Sequence, residues 1–261
     1  MTHPYLQGAS VPRILAHRGL TGPDQVAAGI VENTFAALAA AHAAGAEYIE
    51  SDCHLTRDGE VVLFHDTDLA RVTGDPRGLR EVVLAELETI MADRGGLVTL
   101  AQALDAFPDT RFNIDVKAAD AAVPAGRIVA PAAERVLLTS FSDERRRAAL
   151  AAAVAARPEQ RPATSPGSGT VVRLLAAVRF GARRRVTRLL DGIDAVQVPE
   201  RRGPLRVVTR RLVDAVHAAG TEVHVWTVND VEDMRRLVAL GVDGIVTDRA
   251  DLALAELPAA G

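Results

Sequence analysis

The sequence predicts a (β/α)8 barrel, in which eight parallel strands alternate with helices around a closed sheet. Short apolar segments alternate with longer amphipathic ones along nearly all of the 261 residues. Eight candidate strands remain once one hairpin strand is set aside, and polar residues collect where several of these strands end. A doubly wound open sheet is the alternative, but no glycine-rich phosphate-binding fingerprint follows the first strand.

The composition fits one domain with a large core, since 48% of the residues are hydrophobic and the net charge is −4. We expect the barrel to span residues 1–261, with tails at 1–12 and 257–261. The single cysteine and the absence of a secretion-signal pattern at the N-terminus predict a cytoplasmic protein. No uncharged apolar run reaches about 18 residues, so no membrane-spanning helix is expected. The near-neutral charge argues against a nucleic-acid partner.

The first half contains three barrel strands and one hairpin. Its predicted elements are a strand at 13–16, a polar loop at 20–31, a helix at 35–44, a strand at 46–53, a hairpin strand at 61–64, helices at 84–91 and 100–107, and a strand at 111–117. The turn Arg57-Asp58-Gly59 is too short for a parallel crossover, which needs about a dozen residues. The strand at 61–64 therefore lies outside the barrel, and residues 54–98 form a hairpin plus an abbreviated helical insertion after the second strand.

The second half repeats the alternation of strand and helix. Its predicted strands lie at 136–139, 162–165, 195–198, 222–228 and 244–248, and its predicted helices lie at 143–156, 170–180 and 209–219 and from Asn229 or Asp230 to 240. The weakest strand signal is at 162–165, because Pro162 and Pro166 flank it. Residues 164–170 are expected to form a flexible loop, and Asn229 is expected to cap the last of these helices.

Two carboxylates stand on one face of the second strand. Glu50 and Asp52 are two residues apart, so their side chains point the same way, and their mutual repulsion is relieved if a cation lies between them. Asp115 ends a neighbouring strand and can join them. Carboxylate oxygens without Cys2His2 spacing favour Mg²⁺ or Ca²⁺ over Zn²⁺. The sequence predicts one divalent cation and does not distinguish these two.

Basic and imidazole side chains are predicted at the same strand ends. Arg18 and Lys117, which is the only lysine of the chain, suit an anion with several oxygens, most simply a phosphate. His17 and His65 can act as a base and an acid, each contributing about 10²–10⁴-fold to a phosphoryl transfer. An alkoxide leaves poorly without a proton, so these residues indicate a phosphodiester with an alcohol leaving group.

Nine short motifs stand in order along the chain: His17-Arg18-Gly19, Glu32-Asn33-Thr34, Gly45-Ala46-x-x-Ile49-Glu50-x-Asp52, Leu55-Thr56-x-Asp58-Gly59, His65-Asp66, Asn113-Ile114-Asp115-x-Lys117, Ser140-Phe141, Trp226-Thr227-Val228-Asn229 and Asp243-Gly244-Ile245-x-Thr247-Asp248. With these motifs the chain resembles the glycerophosphodiester phosphodiesterases over nearly its whole length. The resemblance implies a barrel with a small insertion and metal-dependent hydrolysis of glycerophosphodiesters to sn-glycerol 3-phosphate and an alcohol.

The resemblance also implies roles for individual residues. It makes His17 and His65 the acid–base pair and places the phosphate against Arg18 and Lys117. It places the metal at Glu50, Asp52 and Asp115, with Asp115 standing where the family usually has Glu. Separately from the resemblance, Trp226 is interpreted as a wall against the glycerol moiety, with simple core packing as the alternative, and Glu32 is interpreted as supporting the site or fixing a loop rather than binding the metal.

Other functions remain open at this point. One is a phospholipase D-type enzyme acting on lysophospholipids or sphingolipids, and another is an inactive barrel that binds a phosphorylated ligand. A weaker rival is an aldolase or isomerase using Lys117 as a Schiff base. The arginine-rich segment 179–188, with Arg201 and Arg202, is interpreted as a solvated surface rather than a lipid-binding one, so membrane contact is not favoured. His224 shares a strand face with Trp226 and could contribute to the pocket.

Overall fold

A computed structural model describes residues 2–257 and confirms the (β/α)8 barrel. Its strands are β1 (Arg13–His17), β2 (Tyr48–Leu55), β3 (Val61–Leu63), β4 (Arg111–Val116), β5 (Val136–Thr139), β6 (Ala163–Thr164), β7 (Ala195–Pro199), β8 (Arg201–Arg202), β9 (Leu205–Arg206), β10 (Glu222–Trp226) and β11 (Gly244–Thr247). The main sheet has the order β6-β5-β4-β2-β1-β11-β10-β7, and β3 pairs antiparallel with β2. The ring is completed near β6 and β7, where the Asp194 amide donates to the Thr164 carbonyl at 3.0 Å.

The helices surround this barrel. They are α1 (Pro23–Ala27), α2 (Phe35–Ala43), α3 (Ala70–Thr73), α4 (Leu84–Met91), α5 (Leu100–Ala106), α6 (Ala122–Val129), α7 (Asp143–Ala156), α8 (Ser168–Arg179), α9 (Arg183–Leu189), α10 (Arg210–His217), α11 (Val231–Ala239) and α12 (Ala250–Glu256), with 3-10 turns at Pro4–Leu6, Leu79–Glu81, Ala92–Arg94 and Ala130–Arg135. Within residues 2–257 no helix is both long and apolar enough to cross a bilayer.

Some elements lie outside the sequence prediction. The helices α1, α3, α6, α9 and α12 and the small hairpin β8–β9 were not predicted. Pro124 and Gly126 weaken the helix signal of α6, yet Gly126 is what lets α6 approach α7, because a Cβ there would collide with the Ala149 carbonyl.

The prediction of a flexible loop at residues 164–170 is wrong. Thr164 belongs to the short strand β6, and α8 already begins at Ser168. The Asp143 carboxylate at the start of α7 accepts hydrogen bonds from the Gly167 and Thr170 amides, both at 3.0 Å. These bonds to a neighbouring helix hold the segment in place, and composition alone gave no sign of them.

The floor of the barrel is closed by a buried ion pair. Arg13 donates to both oxygens of Glu222 at 2.7 Å. His224 is fully buried with its Nε2 3.0 Å from Glu222, so it belongs to this floor and does not line the pocket. Part of the predicted tail 1–12 is also packed here, because Tyr5 is fully buried and its ring lies edge-on to Tyr48, 5.2 Å between centroids. Residue 1 and residues 258–261 of the predicted tails lie outside the described residues.

Candidate active site

A cavity of about 680 Å³ opens where the barrel strands end. Its lining includes every residue predicted to act in catalysis, in metal or phosphate binding, or as the pocket wall: His17, Arg18, Glu50, Asp52, His65, Asp115, Lys117 and Trp226. They converge because parallel strands of a barrel end at one face, so residues far apart in sequence meet there.

The acidic cluster is set by the register of two neighbouring strands. In β2 and β4, Glu50 pairs with Asn113 and Asp52 pairs with Asp115. All four side chains line or border the barrel interior and are buried, with Asp52 only 1% exposed. Three carboxylates with little exposed surface therefore meet at the base of the cavity, and their charges need compensation.

Lys117 and Arg18 supply part of that compensation. The Lys117 ammonium lies 2.8 Å from Asp52 Oδ1 and donates to Asp115 Oδ2 at 2.6 Å. Arg18 Nε forms an ion pair with Asp52 Oδ2 at 3.1 Å, and the same oxygen accepts a hydrogen bond from Asn33 Nδ2 at 3.2 Å. Burial would raise the pKa of Asp52, but Lys117 and Arg18 outweigh burial and hold it below its usual value. Burial would lower the pKa of Lys117, and the two acids raise it instead. Asp52 is thus a charged anchor for both cations.

Glu50 has no such compensation. Its Oε2 is buried without a hydrogen-bond partner among residues 2–257, and the His17 Nε2 is 3.8 Å away. Burial and the neighbouring Asp52 raise the pKa of Glu50 to about 8. Asp115 Oδ1 and Asn113 Oδ1 are likewise buried without a partner in the described chain, and burial raises the pKa of Asp115. The cluster therefore holds three unsatisfied oxygens.

These oxygens fit a hard divalent cation in chemistry. Mg²⁺ and Ca²⁺ prefer carboxylate and amide oxygens, which Glu50, Asp115 and Asn113 supply. Over the part of the chain that the structure describes, no three His, Cys, Asp or Glu side chains are already grouped as a metal site. The ammonium of Lys117 bridges Asp52 and Asp115 and takes up one oxygen of each.

Each predicted catalytic histidine is held by a carboxylate. His17 Nδ1 is 2.6 Å from Asp248 Oδ1, and His65 Nδ1 is 2.6 Å from Asp66 Oδ1. In both rings the hydrogen bond at Nδ1 fixes the tautomer and leaves Nε2 for proton transfer. Burial would lower the pKa of His17, but the hydrogen bond to Asp248 and the charge of Glu50 outweigh it and raise the pKa. Asp248 also accepts from Asn229 at 2.7 Å.

The prediction that Asn229 caps the helix α11 is therefore wrong. The side chain that caps α11 is that of Asp230, whose Oδ1 accepts from the Asp233 amide at 3.0 Å. Asn229 instead braces Asp248, since its Oδ1 also accepts from the Asp248 amide at 2.9 Å. Either residue could have been the cap by sequence, and only the turn geometry separates them.

Glu32 stands behind the cations rather than among the cavity residues. Its Oε1 accepts from Arg18 Nη1 at 2.8 Å and from Arg71 Nη2 at 2.6 Å. Arg71 in turn donates to Asp66 at 2.6 Å, so one chain of ion pairs connects Arg18 with the carboxylate that holds His65. The insertion that carries Arg71 thereby helps to position the site.

One wall of the cavity is apolar. Trp226 and Phe141 pack edge to face with centroids 5.7 Å apart, and the Lys117 ammonium lies 5.3 Å from the Phe141 ring centre. Three further apolar side chains of α8 continue this wall: Val171, Val172 and Leu175. The sequence prediction included Trp226 but assigned no function to the α8 residues, because their spacing resembles that of any core-facing helix.

The prediction also gave no role in this site to Asn113, Asp66 or Asp248. Each had a detectable signal: Asp248 follows β11 directly, Asp66 is the neighbour of His65 in sequence, and Asn113 shares a strand face with Asp115. Arg201 and Arg202 also line the cavity. The sequence analysis grouped them with the arginine-rich segment as a solvated surface and gave them no part in the cavity, since a two-residue strand shows no periodicity that would place them.

Buried carboxylates, two carboxylate-held imidazoles and two cations at the mouth of a barrel define a hydrolase that works on phosphate esters. Residues 17–252 match the glycerophosphoryl diester phosphodiesterase family. The chain therefore belongs to that family, and with it to the phosphoric diester hydrolases.

Similar proteins agree with this assignment. The chain is 39% identical over 245 residues to a probable glycerophosphodiester phosphodiesterase 2 of Mycobacterium tuberculosis, covering 91% of this chain and 88% of that one. It is 31% identical over 119 residues to a lysophospholipase D of Rattus norvegicus, covering 40% and 36% of the two chains. An Oleispira antarctica phosphodiesterase, solved with the product sn-glycerol-3-phosphate, has a TM-score of 0.71 at 22% identity and covers 95% of this chain and 97% of that one. At that identity the structural likeness shows the fold.

Proposed function

We propose that this enzyme hydrolyses glycerophosphodiesters to sn-glycerol 3-phosphate and an alcohol, with the help of one divalent cation. The observation that carries the proposal is that two imidazoles, each held at Nδ1 by a carboxylate, line the same cavity as the acidic cluster. Family membership supports the same reaction.

The cations of the site suit the phosphate. Lys117 has three N–H donors, and two of them face Asp52 and Asp115, so one remains for a phosphate oxygen. Arg18 presents a planar guanidinium fixed by Glu32 and Asp52. The metal would be held by Glu50, Asp52 and Asp115 with the Asn113 amide oxygen, and it would neutralise charge on the phosphate oxygens.

The two histidines carry the protons. One imidazole Nε2 accepts the proton of the attacking hydroxyl as the new P–O bond forms, and the other imidazolium gives its proton to the alcohol oxygen as the old P–O bond breaks. The attacking group is either the neighbouring glycerol hydroxyl, which gives a cyclic phosphate that water then opens, or water itself. Both routes use the same pair and end at the same products.

The test is the turnover of glycerophosphocholine in EDTA, in Mg²⁺ and in Ca²⁺. Turnover is measured as the release of sn-glycerol 3-phosphate. His17→Ala and His65→Ala should each lower kcat about 10²–10⁴-fold. His217→Ala is the matched control, because this half-exposed histidine pairs with Asp243 away from the cavity. Equal activity in all three variants, or full activity in EDTA, would contradict the proposal. No turnover by the unmodified protein would favour the phosphate-binding alternative instead.

A lysophospholipase D-type activity is the second candidate. The apolar wall favours it, because Val172 is 55% exposed beside the cavity and could contact an acyl chain. The partial similarity to a lysophospholipase D supports it further. Comparing glycerophosphocholine with lysophosphatidylcholine and a sphingolipid under each metal separates the two candidates: a higher kcat/KM for the acylated substrate would make lipid hydrolysis the main reaction.

A cytoplasmic location is part of the proposal. It is supported by Cys53, a free and fully buried thiol with no disulfide partner, which suits a reducing compartment. Fractionation of cells that produce the protein tests this, and recovery of the activity outside the cytoplasmic fraction would contradict it.

A further inference from the structure

The hairpin β8–β9 places unpaired positive charge on the rim of the cavity. Arg201 and Arg202 line the cavity, and both are exposed. Neither side chain has an ion pair or hydrogen bond with any residue from 2 to 257. The adjacent acid, Glu200, does not neutralise them, since its Oε2 accepts from Arg236 at 2.9 Å. Their charge is therefore available to a ligand.

The barrel order puts these arginines opposite the acids. The hairpin follows β7, and β7 is four strands away from β2 through β1, β11 and β10. It is also four strands away in the other direction, through β4, β5 and β6. Glu50 and Asp52 on β2 thus face the arginines across the full width of the mouth. The cations near the acids, Arg18 and Lys117, are already paired, whereas the pair on the far side is not.

We propose that Arg201 and Arg202 select diesters whose leaving alcohol carries a negative charge, such as a carboxylate or a second phosphate. This inference rests on the proposed function. If the phosphodiester group lies against Arg18 and Lys117, one of its two arms extends across the cavity towards the hairpin, and the proposal assigns the variable alcohol arm to that side. Two uncompensated guanidiniums attract an anionic group there and repel an ammonium group.

The aromatic wall does not reverse this preference. Phe141 and Trp226 could in principle hold an ammonium by a cation–π contact. However, the Lys117 ammonium already lies 5.3 Å from the Phe141 ring centre, and a second cation beside it would be repelled. Because the arginines are exposed, water and salt weaken their effect, so we expect selectivity of about tenfold rather than thousands.

A matched substrate series tests the inference. The series consists of the sn-glycerol 3-phosphate diesters of 3-hydroxypropionate, 3-hydroxypropionamide and 3-aminopropanol, which have nearly the same length and carry a negative, a neutral and a positive alcohol. The kcat/KM should be about tenfold higher for the acid than for the amide and lowest for the amine, and the differences should shrink as salt rises. The double variant Arg201→Gln/Arg202→Gln should turn over all three at similar rates.

Arg206→Gln is the control, because Arg206 pairs with Arg201 in the same hairpin but does not line the cavity. The Arg206→Gln variant should keep the preference for the acidic diester. Loss of that preference in this control variant would overturn the inference. Turnover of the amide diester without any charge preference would also overturn it, while leaving the proposed function intact. If none of the three is hydrolysed, the proposed function fails and the inference fails with it. If the double variant changed only the turnover of lysophospholipid in anionic vesicles, the hairpin would be assigned to a membrane surface. That result would overturn the inference as well.

Discussion

Replacement of Glu50 by Gln should stabilise the metal-free protein while it abolishes activity. Glu50 is 8% exposed, its Oε2 has no partner within the described chain, and burial with Asp52 raises its pKa to about 8. In the unfolded chain the carboxyl has its ordinary pKa of about 4.5. Between these two pH values the native state holds a proton that the unfolded state has released, so the free energy of unfolding falls as the pH rises.

The size of the effect follows from the two pKa values. Each pH unit between them costs about 1.4 kcal/mol, so at pH 7 the penalty is roughly 3 kcal/mol. Gln does not titrate, so this penalty disappears in the variant. However, its buried amide lacks a hydrogen-bond partner, which offsets part of the stabilisation. We therefore expect Glu50→Gln to raise the free energy of unfolding by roughly 1–3 kcal/mol at pH 7.

Urea unfolding in EDTA at pH 5 and pH 8 measures this. The variant should resemble the unmodified protein at pH 5 and exceed it clearly at pH 8, and a divalent cation should stabilise the unmodified protein more than the variant. Glu232→Gln is the control, because that side chain is 79% exposed and should change stability little at either pH. An equal difference between variant and parent at both pH values would refute the reasoning, since a titrating group cannot act equally on both sides of its own transition.

Three further substitutions test other parts of the molecule. Burial would raise the pKa of Glu222, but the hydrogen bonds from Arg13 and His224 outweigh burial and lower it to about 2. Glu222→Gln should therefore lower the free energy of unfolding by roughly 3 kcal/mol at pH 7. In urea titrations the unmodified protein should lose this extra stability as the pH falls from about 4.5 towards 2. If the stability of the variant fell by the same amount over that pH range, the prediction would be contradicted. Asp248→Asn removes a charge-assisted hydrogen bond of about 1.5–3 kcal/mol, so kcat/KM should fall about 10- to 100-fold. The limb of its pH–rate profile set by His17 should move to lower pH, and an unmoved profile would refute the positioning role. Lys117→Met leaves Asp115 without a cationic partner and leaves Asp52 with Arg18 alone. The free energy of unfolding should therefore fall by roughly 3–5 kcal/mol in EDTA and recover partly in Mg²⁺; no recovery would count against a cation among these acids.

Most of the barrel was predictable because its strands are short apolar runs with clear ends. Even β6, flanked by Pro162 and Pro166, was placed correctly although only two residues form it. Helix α6 was missed because Pro124 and Gly126 oppose helix formation locally, and packing against α7 decides its structure. The convergence of the site residues on one cavity was predictable for the same reason as the barrel, since strand ends meet at one face.

The contacts inside the site were not predictable to the same degree. That Lys117 lies between Asp52 and Asp115 depends on the register of β2 against β4, and nothing in either strand alone specifies that register. The arginines of β8 were interpreted as a solvated surface rather than as part of the cavity, for a different reason. They belong to a hairpin of two-residue strands, whose position depends on the barrel beneath it rather than on any pattern of its own.

The location of Trp226 has a spectroscopic consequence. It is the single tryptophan of the chain, it is half-buried, and it forms part of the cavity wall beside Phe141. All indole emission therefore originates within reach of an incoming molecule, and the protein carries its own optical reporter of occupancy. Displacement of water from that ring should shift the emission to shorter wavelengths, so ligand entry can be followed in real time without a label.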